Sequence, residues 1–511
     1  MKPSLPTTLA ALRASGWQAR PVKEELRQNL LDLLRRGENA FPGIVGYDTT
    51  VIPALQNAIL ARHDFILLGL RGQAKTRILR SLVNLLDDAI PAVAGCPIRD
   101  NPLAPACTAC RRRLAEQGDA LEIAWIPRAD RYREKLATPD VSIADLIGDI
   151  DPIKAATLRL TYADEDVIHW GILPRTNRGI FAINVLPDLQ PRIQVGLLNI
   201  LEERDVQVRG FPLRLPLDLL LVFSANPEDY TNRGNIITPL KDRIASQILT
   251  HYPLEVKDAM AITAQEAWVE RAGGVRFLIP EVFREMVEAI SFAARKSEFI
   301  DQGSGVSARL SISALECLVS NLERRAAVTG EKTVWPRVCD LFAAVPAVTG
   351  KIELVHEGEQ QGAVAIAKRL IGGAVGGAFA ARFPHAYQPS GRRGGAGAKA
   401  GARVPKAETP DDSPYQPIVG WFAKGNTVDL SDTQPQAEYR AQLDRVEGLR
   451  ALVDRHWKPA SGEDAALGME LLLEGLHQNS LIAKEDLDQR VSYKDMLKEM
   501  FQGMQSAEND D

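Results

Sequence analysis

Apolar positions recur along the chain with two periods, and their order sets the fold class. Between Val22 and Gly37, the residues Leu26, Leu30, Leu33 and Leu34 share one helical face, and Gly37 marks the stop. Phe41-Pro42-Gly43-Ile44-Val45-Gly46 reads as a loop, and Ile52, Leu55, Ala58 and Ile59 predict the helix after it. A short apolar run, Phe65 to Leu68, predicts a strand. The next clear strand, Gly179 to Ile183, comes only after a long interval. A helix from Pro191 to Glu203 follows, then a hairpin pattern from Val206 to Leu215 and an almost wholly apolar strand from Leu217 to Phe223. Strands apolar on both faces are those of buried parallel sheets, and their alternation with helices predicts an α/β fold. From Glu255 to Val348 the pattern is helical. Residues 384–435 are rich in Pro, Gly and Ser and read as a linker, and the tail after Ala437 is helical again, with Tyr439, Leu443, Val446, Leu449 and Leu452 at helical spacing. No internal repeat stands out.

The strand at Phe65 leads into Gly69-Leu70-Arg71-Gly72-Gln73-Ala74-Lys75-Thr76, with a helix expected from near Arg77. Strand, Gly-containing turn, Lys-Thr pair and helix form the layout of a phosphate-binding P-loop. Backbone N–H groups of such a turn wrap a β-phosphate, Lys75 reaches the β- and γ-phosphates, and the Thr76 hydroxyl binds Mg²⁺. Ala74 stands where a second glycine is usual, which predicts modest local strain. Gly69, Arg71, Gly72, Gln73, Ala74, Lys75, Thr76 and Arg77 are the expected nucleotide-binding residues.

A second strand should end in an acid supporting Mg²⁺, followed by a glutamate that orients water. Here Gly179 to Ile183 ends in Asn184 and Val185. Asn184 can hydrogen-bond a metal-bound water but carries no charge, and Val185 can neither orient nor polarise water, which argues against fast hydrolysis. Asp188, one helical turn later, is the nearest substitute, and it also reads as a helix-initiating acid. Asn226, in Ser224-Ala225-Asn226-Pro227, is a candidate to face the γ-phosphate, with a turn residue as the plainer reading. Arg243 closes a short helix in Thr238-Pro239-Leu240-Lys241-Asp242-Arg243 and is a candidate arginine finger. Arg309, in Ser307-Ala308-Arg309, is a candidate to reach the phosphates from a lid.

Composition narrows the classes. The 511 residues carry a net charge of −5, so no global field favours nucleic acid. Met1-Lys2-Pro3-Ser4-Leu5-Pro6 offers no apolar h-region, and the apolar stretch Leu370 to Ala381, bracketed by Arg369 and Arg382, is too short to cross a bilayer, so neither a signal peptide nor a membrane span is expected. The spaced glycines of that stretch predict a tight internal packing face. Five cysteines are too few for a disulfide framework, and a reducing cytoplasm fits. Cys96, Cys107 and Cys110 form a C-x10-C-x2-C set with zinc-knuckle spacing in its second half. Zinc wants four ligands. His63, His169 or a water would complete the set, and three reduced thiols in a loop-rich insertion are the alternative. Cys317 and Cys339 sit in apolar helical patterns and read as core.

Taken in this order, the features resemble AAA+ ATPases of the MoxR and magnesium-chelatase I-subunit branch over residues 38–350. Phe41 to Gly46 is similar to the branch's opening box. Asp145 to Asp151, with Gly171-Ile172-Leu173 and Arg178-Gly179-Ile180, resembles the chelatase-type insertion leading into Walker B. Glu202-Glu203 to Leu215 resembles the pre-sensor-1 hairpin. Ser224 to Glu228 resembles sensor 1, Leu240 to Arg243 the arginine-finger box, and Ser307-Ala308-Arg309 sensor 2. Alanine before the P-loop lysine also occurs in some MoxR-type relatives. The resemblance implies an ATP hydrolase forming a homo-oligomeric ring, usually hexameric, with ATP and Mg²⁺ at subunit interfaces. It also implies a partner bearing a von Willebrand factor A domain, and a task of metal insertion or complex remodelling. The expected organisation is an N-terminal helical segment (1–40), an α/β nucleotide-binding core with a cysteine-containing insertion near 90–130 (41–254), an α-helical lid (255–350), a Gly/Pro-rich linker region (351–435) and a helical C-terminal extension (436–511). A nucleotide-gated assembly scaffold is the second expectation, because Asn184 and Val185 replace the acids. A bacterial enhancer-binding activator ranks last, since no GAFTGA-like loop or helix-turn-helix is present.

Overall fold

The computed structural model describes residues 5–159, 164–208, 214–227, 235–385, 413–487 and 490–496. Its chain separates into two units, Met1–Tyr252 and Pro253–Asp511. In order, the first unit builds Leu9–Ala14 (α1), Val22–Arg36 (α2), Val51–Leu60 (α3), Phe65–Leu68 (β1), Lys75–Ser81 (α4), Ala89–Val93 (β2), Thr108–Gln117 (α5), Ile123–Pro127 (β3) and Tyr132–Leu136 (β4). Ile143–Leu146 (α6), Gly148–Ile150 (β5), Pro152–Leu158 (α7), Ile168–Trp170 (β6), Gly179–Asn184 (β7) and Pro191–Glu202 (α8) follow. Asp205–Gln207 (β8), Arg214–Pro216 (β9), Leu219–Ala225 (β10), Thr238–Arg243 (α9) and Ser246–Leu249 (β11) complete it.

A five-stranded parallel sheet in the order β11-β1-β10-β7-β4 is the frame. Leu68 pairs with both Ala225 and Leu249, so β1, β10 and β11 end along one edge, where ligands of open α/β sheets bind. One face buries Phe65, Leu67, Ile180, Ala182, Leu220 and Val222 with Leu26, Leu30, Leu55, Ile59 and Ile78 of the first helices. The other buries Ile66, Phe181, Ile183, Leu221 and Phe223 with Leu197 and Ile200 of α8 and with the insertion residues Val93, Ile98 and Leu121. Two covered faces explain why β1, β7 and β10 are buried at every position and almost wholly apolar, with Asn184 and Ser224 at the strand ends as the polar residues.

Several expectations change. The long interval before β7 is not strand-free. It holds the sheet's edge strand β4 and the antiparallel pairs β2–β3 and β5–β6. The stretches Asp145 to Asp151 and Gly171 to Leu173 meet there, with the Ile172 and Leu173 amides donating to Asp145 and Leu146 carbonyls at 2.9 Å. β10 runs two residues later than expected, because Asp218 leaves the sheet to accept the Val22 amide at the start of α2 (3.0 and 2.8 Å). The hairpin is present as β8–β9, with its tip outside the described residues.

Buried charges tie the base of the sheet together. Asp64, one step before β1, accepts the Leu221 amide on Oδ1 (2.8 Å), and its Oδ2 pairs with Lys23 (2.7 Å) and Arg204 (2.9 Å). Glu25 of α2 meets Arg131, just before β4, through two bonds of 2.6 Å, with side chains 3% and 1% exposed. Arg131 also donates to the Arg178 carbonyl (2.9 Å). Removing one partner of such a pair leaves a buried charge, so Glu25→Ala should lower the stability of the first unit by about 3–5 kcal/mol. Denaturant unfolding of the full chain, followed at the first transition, checks this.

In the second unit the helices Glu281–Ala294, Arg309–Thr329, Ala363–Arg382 and Gly462–Gln478 contribute to one core, which also takes in Tyr439, Leu443, Leu449 and Tyr493. The helical block carries a two-stranded pair, Arg276–Phe277 with Thr333–Val334. The stretch read as a linker contains a folded helix, Gln416–Ala423, and a strand, Val428–Ser431. That strand pairs with Arg490–Lys494, which pairs with Ala483–Leu487, so the tail is not wholly helical. The Gly-rich centre, 390–397, lies outside the described residues. The apolar helix is longer than its expected core, Leu370 to Ala381. Ala363–Arg382 is, by length and composition, long and apolar enough to cross a bilayer. Here Ile366, Leu370, Ile371, Val375 and Phe379 are buried in the unit's core. Gly372 and Gly376 face Gln478 of the helix Gly462–Gln478, whereas Gly373 and Gly377 have open space.

Candidate functional site

The turn from β1 to α4 leaves no room for a side chain at its first residue. A Cβ at Gly69 would lie 2.0 Å from Thr250 Oγ1 and 2.1 Å from Gln73 Oε1. Gly72 (φ +74°) and Ala74 (φ +56°) are both left-handed, and such turns make backbone N–H nests for anions. With Ala74 turning the chain directly, α4 begins at Lys75, two residues earlier than expected, and Thr76 and Arg77 fall in its first turn. Left-handed alanine costs roughly 1–2 kcal/mol. Glycine gives back ~0.4–1 kcal/mol of that in unfolded-state entropy. Ala74→Gly should therefore stabilise the first unit by up to about 1 kcal/mol, read as a small rise in the unfolding midpoint.

Lys75 donates its ammonium to the Gly69 carbonyl, to Leu70 O (2.8 Å) and to Asn226 Oδ1 (2.7 Å). Asn226 leaves the end of β10, so two predicted site residues meet at the sheet's edge. The turn is braced by side chains that sequence reasoning missed. The Tyr47 hydroxyl lies 3.1 Å from Gln73 O and 2.6 Å from His251 O, and burial pushes its pKa up to about 12, which keeps it a neutral donor. Tyr252 donates to Arg71 O (2.9 Å), and Thr250 donates to Gln73 Oε1 (2.7 Å).

Asn184 is buried at the end of β7. Ser224 donates to its Oδ1 (3.0 Å), and the Val185 amide donates to Ser224 Oγ (3.3 Å). Val185 is left-handed (φ +58°), an uncommon conformation for a β-branched residue. Asp188 ends a short turn over Leu186–Asp188, three residues ahead of α8, so it does not initiate that helix, whose N-cap is Gln190. Arg243 ends α9 and pairs with Glu202 of α8 (2.6 Å) while donating to Pro239 O (3.0 Å). Arg309 opens its helix in the second unit and is exposed.

The cysteines of the insertion converge. Cys96, Cys107 and Cys110 bring their sulfurs, together with a carboxylate oxygen of Asp100, within 4.8 Å of one another. The expected completing histidines are not in this set. His63 instead bonds Ser246 (2.7 Å), and His169 lines a cavity beside Cys107.

Over 254 residues the chain is 26% identical to the chloroplastic magnesium-chelatase subunit ChlI of Oryza sativa, in both its indica and japonica subspecies, covering 48% of this chain and 55% of each relative. Over this stretch the chain is similar to the AAA+ module of the magnesium-chelatase I-subunit branch. It spans about half the length of the curated relatives it matches. No family model matches. Among solved structures, the BchI–BchD complex of magnesium chelatase aligns at 21% identity and TM-score 0.32, over 63% of this chain and 98% of that one. The closed state of Hsp104 with ATPγS and casein aligns at 13% identity and TM-score 0.39, over 63% and 52%. The likeness rests on the sequence match, the parallel sheet and the phosphate-type turn after β1.

Proposed function

We propose that this AAA+ module binds ATP with Mg²⁺ at the β1–α4 turn and works as a ring subunit that remodels, or loads metal into, a partner complex. The single observation carrying this reading is the 2.7 Å bond between Lys75 and Asn226, residues 151 positions apart, at the mouth of the turn. The residues present fit the group. Gly69 to Ala74 would offer backbone N–H donors, Lys75 a cation and Thr76 a hydroxyl for the metal. Bound Mg²⁺ would offset phosphate charge. Asn226 would sense the γ-phosphate. Arg243 would act on the nucleotide of a neighbouring subunit after releasing Glu202, and Arg309 would act from the lid. A hexameric ring, a partner with a von Willebrand factor A domain and a cytoplasmic setting are parts of the same proposal.

One observation favours a second reading, that of a nucleotide-gated scaffold with slow turnover. Neither Asn184, already engaged by Ser224, nor Val185 is a carboxylate. Paired measurements of ATP affinity and steady-state turnover separate the readings. Binding with Lys75-dependent turnover supports the motor, binding without turnover above background supports the scaffold, and no binding overturns both.

A further inference from the structure

We propose that Cys96, Cys107, Cys110 and Asp100 form a zinc site that cross-links the insertion between β2 and β3. The inference is independent of the nucleotide reading. A tetrahedral zinc with sulfurs at about 2.3 Å sets neighbouring ligand atoms roughly 3.8 Å apart, and small side-chain rotations close a set already within 4.8 Å. Ligands this close suit one ion; a multi-iron cluster spreads its ligands more widely. Three sulfurs also disfavour Ca²⁺ and Mg²⁺, which take oxygen.

Hydrogen bonds hold the set in place. Asp100 Oδ2 accepts the amides of Ala106 (2.9 Å) and Cys107 (2.8 Å), and a carboxylate has a second oxygen to give. The Cys110 amide points at Cys107 Sγ (3.3 Å), the kind of outer bond that orients a ligand. Cys96 lies in the turn after β2, which the Val93 amide closes on Asp100 O (3.0 Å). Cys107 and Cys110 cap and open α5. Both are buried in the core that includes Phe181 and Ile183 of β7. Three thiolates and a carboxylate around Zn²⁺ leave a net charge of about −2. Arg99, Arg133 and Arg175 line the cavity that Cys107 borders and offset that charge. With zinc bound, the turn after β2 is tied to the start of α5, whose cysteines pack in the core that includes Phe181 and Ile183.

The experiment uses the full chain, purified under reducing conditions without added metal. Elemental analysis should find about one zinc per chain, and chelator treatment should lower the unfolding midpoint. Cobalt(II) loaded into the stripped protein should give the absorption of a tetrahedral thiolate centre, weakened in Cys110→Ser. Asp100→Asn keeps an oxygen for the Ala106 and Cys107 amides, so it preserves the fold. It should lower zinc affinity about tenfold or more against a chromophoric chelator. Zinc below about a tenth of an equivalent, cobalt without that spectrum, two of the three thiols lost to a disulfide, or unchanged affinity in Asp100→Asn would each overturn the site.

Discussion

Lys75→Ala abolishes ATP binding at working concentrations, with the affinity of the full chain falling by about a hundredfold or more. Lysine at this turn supplies charge-assisted bonds to phosphate oxygens, each worth about 1.5–3 kcal/mol. Two of them give at least ~3 kcal/mol, or two decades in affinity. Thermal unfolding of the variant should stay close to that of the parent. The Lys75 ammonium contacts two backbone carbonyls and Asn226 at a partly exposed site, so little core is lost. Titration calorimetry with ATP and Mg²⁺ makes the comparison. Unaltered affinity in Lys75→Ala would remove the nucleotide site from the β1–α4 turn.

Val185→Glu raises steady-state ATP turnover by about ten- to a hundredfold, at the cautious end of what a positioned general base contributes. Valine at the end of β7 offers no oxygen to the attacking water, and its neighbour Asn184 is held by Ser224. The exchange also removes a β-branched side chain from a left-handed position, so it carries little backbone cost of its own. Adding Asn184→Asp should raise turnover further, and adding Lys75→Ala should return it to background. Flat turnover in Val185→Glu would mean that Asp188 or another acid already orients the water, and the scaffold reading would lose its support.

What was legible in the sequence follows from how completely each element is buried. The strands β1, β7 and β10 are buried at every position and almost wholly apolar because both faces are covered, and they announce themselves. The edge strand β4, Tyr-Arg-Glu-Lys-Leu, is only partly covered and reads as a polar loop. The last two strands, Ala-Lys-Glu-Asp-Leu and Arg-Val-Ser-Tyr-Lys, hide for the same reason. In the site, the turn and Asn226 were visible because their chemistry is local. Tyr47, Thr250 and Tyr252 were not, since their partners in the turn lie 26, 177 and 181 positions away. The cysteine spacing pointed to a cluster, but one aspartate among many acids could not be singled out until the fold brought Asp100 to the sulfurs.

Asp64 gives the base of the sheet a property that its separate contacts lack. The amide of Leu221, the ammonium of Lys23 and the guanidinium of Arg204 all close on one carboxylate. Contacts that share a partner are thermodynamically coupled, so loosening any one alters the free energy of the other two. Displacement of α2, or of the chain entering the β8–β9 hairpin, is thus registered at a single residue. That residue opens the strand whose far end is the phosphate turn.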